Sequence, residues 1–386
     1  MTGQSGTGPI APATGHLAAL TGIRGIAAWG VVLYHCRLSL ATILPAAAID
    51  VLAKGYLAVD LFFMLSGFVI WYNYAPRLAA QGASAVLPFL WRRFARVWPL
   101  HGAILALFGA LAVLLIATGR PIDGYPLGEL PLHALLVQNW GFTGALSWNH
   151  PAWSISTEFG AYLLFPLLVA VGAVQRLRTA LLPVIAGLGL LLLWGLYASA
   201  GHRTLGADIT GLGLWRCLIQ FSIGAVLCEL YRRPSGAARQ SLACGIMAAV
   251  ICMSGITLGW AETAFVPAVL VLALFALATG RGTLIGVLAS RPLVYLGEVS
   301  YATYLSHFLL FIVFKIAFVG ANLQVGWTGL FGYVAMVLTA SVLLYHGLEK
   351  PAQRWLNRHP PRWARDSAKT PSAKSHPIPV TPAALP

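Results

Sequence analysis

Apolar runs of about twenty residues, the length a bilayer core requires, recur along the whole chain with short polar segments between them. Ten runs are predicted to form membrane helices: 17–37, 55–75, 99–118, 152–174, 180–200, 211–231, 240–260, 263–280, 292–318 and 327–348. Residues 127–140 are also largely apolar, but this stretch holds Glu129, Pro131 and His133 and is too short to cross. It is predicted as an interfacial or re-entrant piece. Residues 1–16 are rich in Gly, Ser, Thr and Pro without a basic start. They read as a flexible tail and not as a cleavable signal. Residues 351–386 are basic and rich in Pro and Ser, and are predicted to be a disordered cytoplasmic tail. The membrane domain is then 17–350.

Composition agrees with this pattern. Hydrophobic residues make up 58% of the chain and charged residues 9%, with a mean hydropathy of +0.77. A soluble domain carries about 25% charge. The fold class is therefore all-α, a polytopic transmembrane helical bundle. Five cysteines lie in or beside apolar runs without paired or metal-like spacing. They are read as reduced thiols, and no metal site is expected.

The net charge of +14 suggests nucleic acid in a soluble protein. Here the positive-inside bias explains it first, and no nucleic-acid partner is expected. With the N-terminus in the cytoplasm, eighteen Lys and Arg residues fall in inner segments. Four (Arg37, Lys54, Arg120 and Arg203) fall in outer ones, and Arg24, Arg216 and Lys315 lie within runs. Counting 127–140 as a crossing would put much of that charge outside. Both termini are therefore predicted to be cytoplasmic.

Titratable residues inside membrane helices are costly and usually functional. Arg24 and His35 share one face of the first run, about 16 Å apart along the axis. Orientation puts Arg24 in the inner half and His35 near the outer face. Counting along the other runs brings Asp60, Glu158, Arg216 and His307 to the same outer layer as His35, with Trp153 and Ser154 beside them. An imidazole there suits a general base, and a carboxylate suits its partner. Each also has a bland reading. His35 can be an interfacial histidine satisfied by a neighbour, Glu158 a structural partner of Arg216, and Asp60 a partner of Lys54. Ser66 and Gly67 read as a close-packing step between helices. On the inner side, Arg93 and Arg96 share a face at i, i+3 within FLWRRFARVWPLH, beside aromatic residues that suit an interfacial helix. Guanidinium forks suit phosphate oxygens, but cations there also set topology.

Several motifs in order resemble acyltransferase family 3, the integral membrane O-acyltransferases. They are R-G-x-A with V-x-x-x-H (Arg24 to His35) and G-x-x-x-V-D-x-F-F-x-x-S-G-F (Gly55 to Phe68). R-x-x-R-x-x-P (Arg93 to Pro99) and W-S-x-S-x-E (Trp153 to Glu158) follow. Last come S-Y-x-x-Y-L-x-H (Ser300 to His307) and E-x-P (Glu349 to Pro351). The resemblance implies a cytoplasmic acyl-CoA donor, commonly acetyl-CoA. It implies a hydroxyl acceptor on a surface or lipid-linked saccharide or on a secreted metabolite such as a macrolide. It assigns His35 the catalytic role and donor binding to Arg93 and Arg96; from their own chemistry, Glu158 and Asp60 are read as carboxylate support for His35 and Arg24 as a further donor-side cation. Trp153, Ser154, Arg216 and His307 are expected to line the substrate pocket. The expected location is a bacterial inner membrane. The extracytoplasmic domain that some members carry is expected to be absent. The rival class is a saccharide or metabolite transporter, against which the lack of an internal repeat argues.

Overall fold

The computed structural model describes residues 14–233, 237–319 and 324–365, and every regular element among them is helical. The long helices are α1 (Thr14–Cys36), α2 (Ala58–Gln81), α3 (Val86–Ala117), α4 (Ala152–Ala170), α5 (Leu181–Ser199), α6 (Ile209–Tyr231), α7 (Ala237–Thr257) and α8 (Glu262–Thr279). After these come the short α9 (Arg291–Glu298), then α10 (Ser300–Phe318), α11 (Trp327–Leu344) and α12 (Lys350–Arg358). Among the described residues, nine stretches are long and apolar enough to cross a membrane. One of them, Ala46–Ala117, has 72 residues, and the turn Gly82–Ala85 divides it into α2 and α3. Each of the ten predicted runs thus has its own long helix among the described residues.

Two boundaries differ from expectation. The third helix starts at Val86, not near residue 99, and continues through Pro99 for 32 residues, about 48 Å. Proline removes one backbone hydrogen bond, but the turns on either side of Pro99 are packed and remain helical. Arg93 and Arg96 therefore ride on a helix of the bundle, not on a separate interfacial helix. The predicted ninth run is split at Val299 into α9 and α10. The backbones of α9 and α1 touch there: a Cβ on Gly297 would lie 1.8 Å from the Thr21 carbonyl oxygen.

Polar and glycine contacts give relative directions. Along α2 and α6, Asp60 meets Arg216, Gly67 meets Phe221, and Trp71 meets Glu229. These two helices run the same way. Along α1 and α10, Arg24 meets Ser300 and His35 meets His307, so they too run together. One end of the bundle carries Arg24, Arg93 and Arg96 and the other His35 and His307.

Residues 127–140 do re-enter the bundle. After α3 ends, the chain folds back as the short helix Leu130–Leu135. There the Ala134 carbonyl accepts from Trp98 Nε1 at 3.0 Å, and the His133 carbonyl meets His101 Nε2 at 2.8 Å. His101 lies about 24 Å of helix rise before Ala117. His133, Leu136, Gln138 and Asn139 of this segment are enclosed by protein, whereas Leu127 and Leu135 face outward. At the C-terminal end the chain stays ordered past residue 350. The amphipathic α12 docks on α3, with Trp91 Nε1 donating to the Leu356 carbonyl at 3.1 Å and the Trp91 and Trp363 rings 5.7 Å apart. The predicted disorder from 351 is corrected as far as residue 365; residues 366–386 lie outside the described residues. All five cysteines are free thiols.

The backbones of α2 and α6 approach each other closely. A Cβ at Gly67 would lie 1.9 Å from the Phe221 carbonyl oxygen, and one at Gly224 would lie 2.0 Å from that of Met64. The obstacles are backbone and cannot turn aside. Gly67→Ala or Gly224→Ala should lower stability by about 1–3 kcal/mol, the usual cost of overpacking. Thermal unfolding in detergent should show a lower midpoint for both variants. An unchanged midpoint would mean the backbones are not in contact.

Candidate active site

Two clusters of chemically capable residues lie on the helices that run the length of the bundle. The first lines a cleft of about 880 Å³. Arg24 enters it from α1, Arg93 and Arg96 from α3, Ser154 and Glu158 from α4, and Tyr301 and Tyr304 from α10. Arg93 Nη2 donates to Tyr74 Oη at 2.9 Å, and its buried Nε has no hydrogen-bond partner. Arg96 pairs with Glu349 and lies 5.0 Å from the centre of the Tyr301 ring. Arg24 Nη2 donates to Ser300 Oγ at 3.4 Å. Tyr162 donates to Glu158 Oε1 at 2.7 Å. Three guanidinium groups face two carboxylates, Glu158 and Glu349. With all five ionised, the cleft keeps one net positive charge. Glu349 reaches it from a π-helical turn, Tyr345–Glu349, inserted between α11 and α12. Such turns often re-aim a side chain at a functional site.

The second cluster is a pair of imidazoles. His35 Nδ1 lies 3.1 Å from His307 Nε2 and 3.0 Å from the Val31 carbonyl oxygen. Phe308 packs edge-on to His35 at 5.4 Å and stacks on His150 at 4.8 Å. His150 belongs to the loop before α4, and burial lowers its pKa. His133 in the re-entrant segment meets Ser147 Oγ through its Nε2 at 2.9 Å. Tyr304 stands between the clusters. Its hydroxyl lies 2.7 Å from Ser154 Oγ in the arginine cleft, and its ring centre is 6.0 Å from that of His307.

The profile of the Acyltransferase domain of family 3 matches residues 17–346, which includes every residue of both clusters except Glu349. The chain belongs to acyltransferase family 3. It is a multi-pass membrane acyltransferase. Acyltransferase MdmB of Streptomyces mycarofaciens is 30% identical over 386 positions, spanning 91% of this chain and 95% of that protein. Protein 2 in picA locus of Rhizobium radiobacter is 38% identical over 152 positions, spanning 36% of this chain and 75% of that protein. No solved structure matches.

The acyltransferase brings Arg24, Arg93 and Arg96 together as the sequence suggested. It does not bring Asp60 and Glu158 to His35. Asp60 is fully buried and accepts from Arg216 Nε at 2.7 Å, Arg216 Nη2 at 2.5 Å and Gln220 Nε2 at 2.6 Å. Its two oxygens are committed to α6. Arg216 is consumed in the same way. It also donates to the Leu205 carbonyl at 2.7 Å, and it lies 5.5 Å from the centre of the Trp153 ring. Arg216 and Trp153 therefore belong to a structural cluster and not to the cleft. Glu158 shares a helix face with Ser154 at i, i+4, and that face looks into the arginine cleft. His35 is joined instead to His307, which counting along α10 had brought only to the same layer. Depth estimated from helix rise carries no azimuth, and the azimuth decided each of these cases. Glu349 and Tyr304 were visible in the motifs, but nothing in their spacing gave them partners.

If Asp60 is structural, Asp60→Ala leaves Arg216 buried without a counter-charge. Removing one partner of a buried pair costs about 3–5 kcal/mol. The expected result is loss of the monodisperse detergent-solubilised protein, or a sharply lowered unfolding midpoint. An Asp60→Ala protein with the wild-type midpoint and no activity would instead mark Asp60 as chemical.

Proposed function

We propose that this chain is a bacterial inner-membrane O-acyltransferase that moves an acyl group, acetyl first among candidates, from cytoplasmic acyl-CoA to a hydroxyl group. The observation that carries the reading is the placement of a cationic cleft and an imidazole pair along the same two helices, α1 and α10. Arg24 and His35 are about 16 Å apart along α1, a gap that a pantetheine arm spans. The donor's phosphates bind Arg93 and Arg96, with Arg24 beside them, by charge-assisted hydrogen bonds. The orphaned Arg93 Nε supports this, because a buried donor without a partner is costly unless a ligand supplies one. Glu158, held by Tyr162, offsets part of the positive charge of the cleft.

At the other end His35 acts as general base. It takes the proton of the acceptor hydroxyl while the oxygen attacks the thioester carbonyl, and the departing thiolate is protonated in turn. The step requires a base near an acceptor, and His35 is partly exposed.

The first acceptor reading is a saccharide of a surface glycan or lipid-linked precursor. A macrolide-type metabolite is the second, favoured by the coextensive match to a Streptomyces acyltransferase. Mass spectrometry of surface glycans and of extracted metabolites, with and without the gene, decides between them. The class of molecule that loses one acyl group is the acceptor. Loss from neither class would count against the acyl-transfer reading.

Two substitutions test the roles. His35→Ala should abolish transfer from acetyl-CoA in membranes while the protein remains inserted; wild-type transfer would remove His35 as the base. Arg93→Ala with Arg96→Ala should weaken CoA binding by at least about tenfold, since each charged hydrogen bond is worth about 1.5–3 kcal/mol. Isothermal titration with CoA measures this, and an unchanged Kd would place the phosphates elsewhere.

A further inference from the structure

The imidazole pair has a defined pattern of protons, and the pattern follows from backbone oxygens. His307 is fully buried. Its Nδ1 lies 2.7 Å from the Tyr304 carbonyl oxygen and 3.2 Å from that of Thr303. Carbonyl oxygens only accept, so His307 Nδ1 carries a proton. In a neutral ring its Nε2 is then a lone pair, and that lone pair faces His35 Nδ1 at 3.1 Å. His35 Nδ1 thus looks at two acceptors, His307 Nε2 and the Val31 carbonyl at 3.0 Å, and it too carries a proton. What remains is His35 Nε2. It holds a lone pair and has no hydrogen-bond partner among the described residues.

We propose that His307 is a positioning residue for catalysis: by accepting the Nδ1 proton of His35 it aims the lone pair of His35 Nε2 at the acceptor hydroxyl. This rests on the reading of His35 as general base. In the reaction the hydroxyl proton passes to His35 Nε2 as the acceptor oxygen bonds to the acyl carbon. The carbon–sulfur bond breaks, its electron pair goes to the CoA sulfur, and the proton on Nε2 passes to that thiolate. Between these events His35 is an imidazolium. Its Nδ1–H bond to His307 becomes charge-assisted and therefore stronger, so His307 stabilises the charged state more than the resting state. That is the condition for a contribution to rate.

A carboxylate in this position would do more for the cation but would place a permanent charge at the buried end of α10. The imidazole serves with no charge in the resting enzyme. His307 is itself held from two sides: its own carbonyl accepts from Tyr333 Oη at 3.1 Å on α11, and its ring is tied to α10 by the Tyr304 and Thr303 carbonyls. Swinging the ring away breaks those bonds.

The test uses the full-length protein in detergent micelles and in native membranes of the producing strain. The first measurement needs no activity. In the ¹⁵N spectrum of histidine-labelled protein, with His35 assigned by its loss in His35→Gln, the neutral ring should show a protonated Nδ1 and an unprotonated Nε2. The opposite tautomer would overturn the proposal.

The second measurement is incorporation of label from [¹⁴C]acetyl-CoA into membranes. His307→Leu should lower kcat by about 100-fold, the low end of a general-base contribution, with KM for acetyl-CoA unchanged. His307→Gln, whose amide oxygen can accept the same proton, should recover a large part of the loss. Two results would remove His307 while leaving His35 as base: wild-type kcat in His307→Leu, or equal losses in the Leu and Gln variants with wild-type unfolding midpoints. Wild-type incorporation by His35→Ala would instead overturn the base reading beneath it.

Discussion

Asp60 carries a charge where no water reaches it, and the arrangement of the bundle follows from how that charge is met. An ionised carboxylate at such a position requires a cation and hydrogen bonds, and α6 supplies all of them through Arg216 and Gln220. This fixes the register of α2 against α6. With the register set, Met64, Gly67 and Trp71 follow Asp60 at helical spacing along the same face and meet α6 in turn. Phe62, Ser66 and Val69 are left on a different face, where they line the cleft. One helix thus has a bonding face and a substrate-facing face, and the first determines where the second points.

The two ends of the molecule solve opposite electrostatic problems. The arginine end concentrates positive charge and offsets most of it with Glu158 and Glu349. The histidine end works with imidazole rings stacked and edge-packed on Phe308 and Tyr34. On the proposed reading the difference matches the two substrates, a polyanion at one end and an uncharged hydroxyl at the other. Because α1 and α10 pass through both ends, a shift of either helix moves a donor contact and an acceptor contact together.

Much of the fold was legible in the chain. Apolar runs located the ten long helices, and the length and polar content of 127–140 excluded it as a crossing. Arg93 and Arg96 were legible as a pair from their i, i+3 register, and Arg24 as a cation costly to hold inside a membrane run. The limits came from geometry that one-dimensional counting lacks. Pro99 looked like a helix start, yet packing against α12 and the re-entrant segment keeps α3 continuous through it. Asp60 and Arg216 lay in the layer predicted for them, but they satisfy each other. His307 was the reverse case, a residue whose role depends on a ring from another helix 272 positions away in the chain.

The re-entrant segment bears on how the protein is assembled in the membrane. Two side-chain amides, one in it and one in the loop that follows, reach parts of the chain made much later. Asn139 Nδ2 donates to the Ile209 carbonyl at 2.9 Å, and Asn149 Nδ2 donates to the Leu305 carbonyl at 3.0 Å. Until α6 and α10 have been synthesised and inserted, these amides have no native partner, and hydrocarbon offers no substitute. Residues 118–151 therefore reach their native seat only after the chain has been made past α10. The loop that carries His150 to the imidazole pair closes over that end of the bundle late in biogenesis, so the histidine end is completed after most of the scaffold around it.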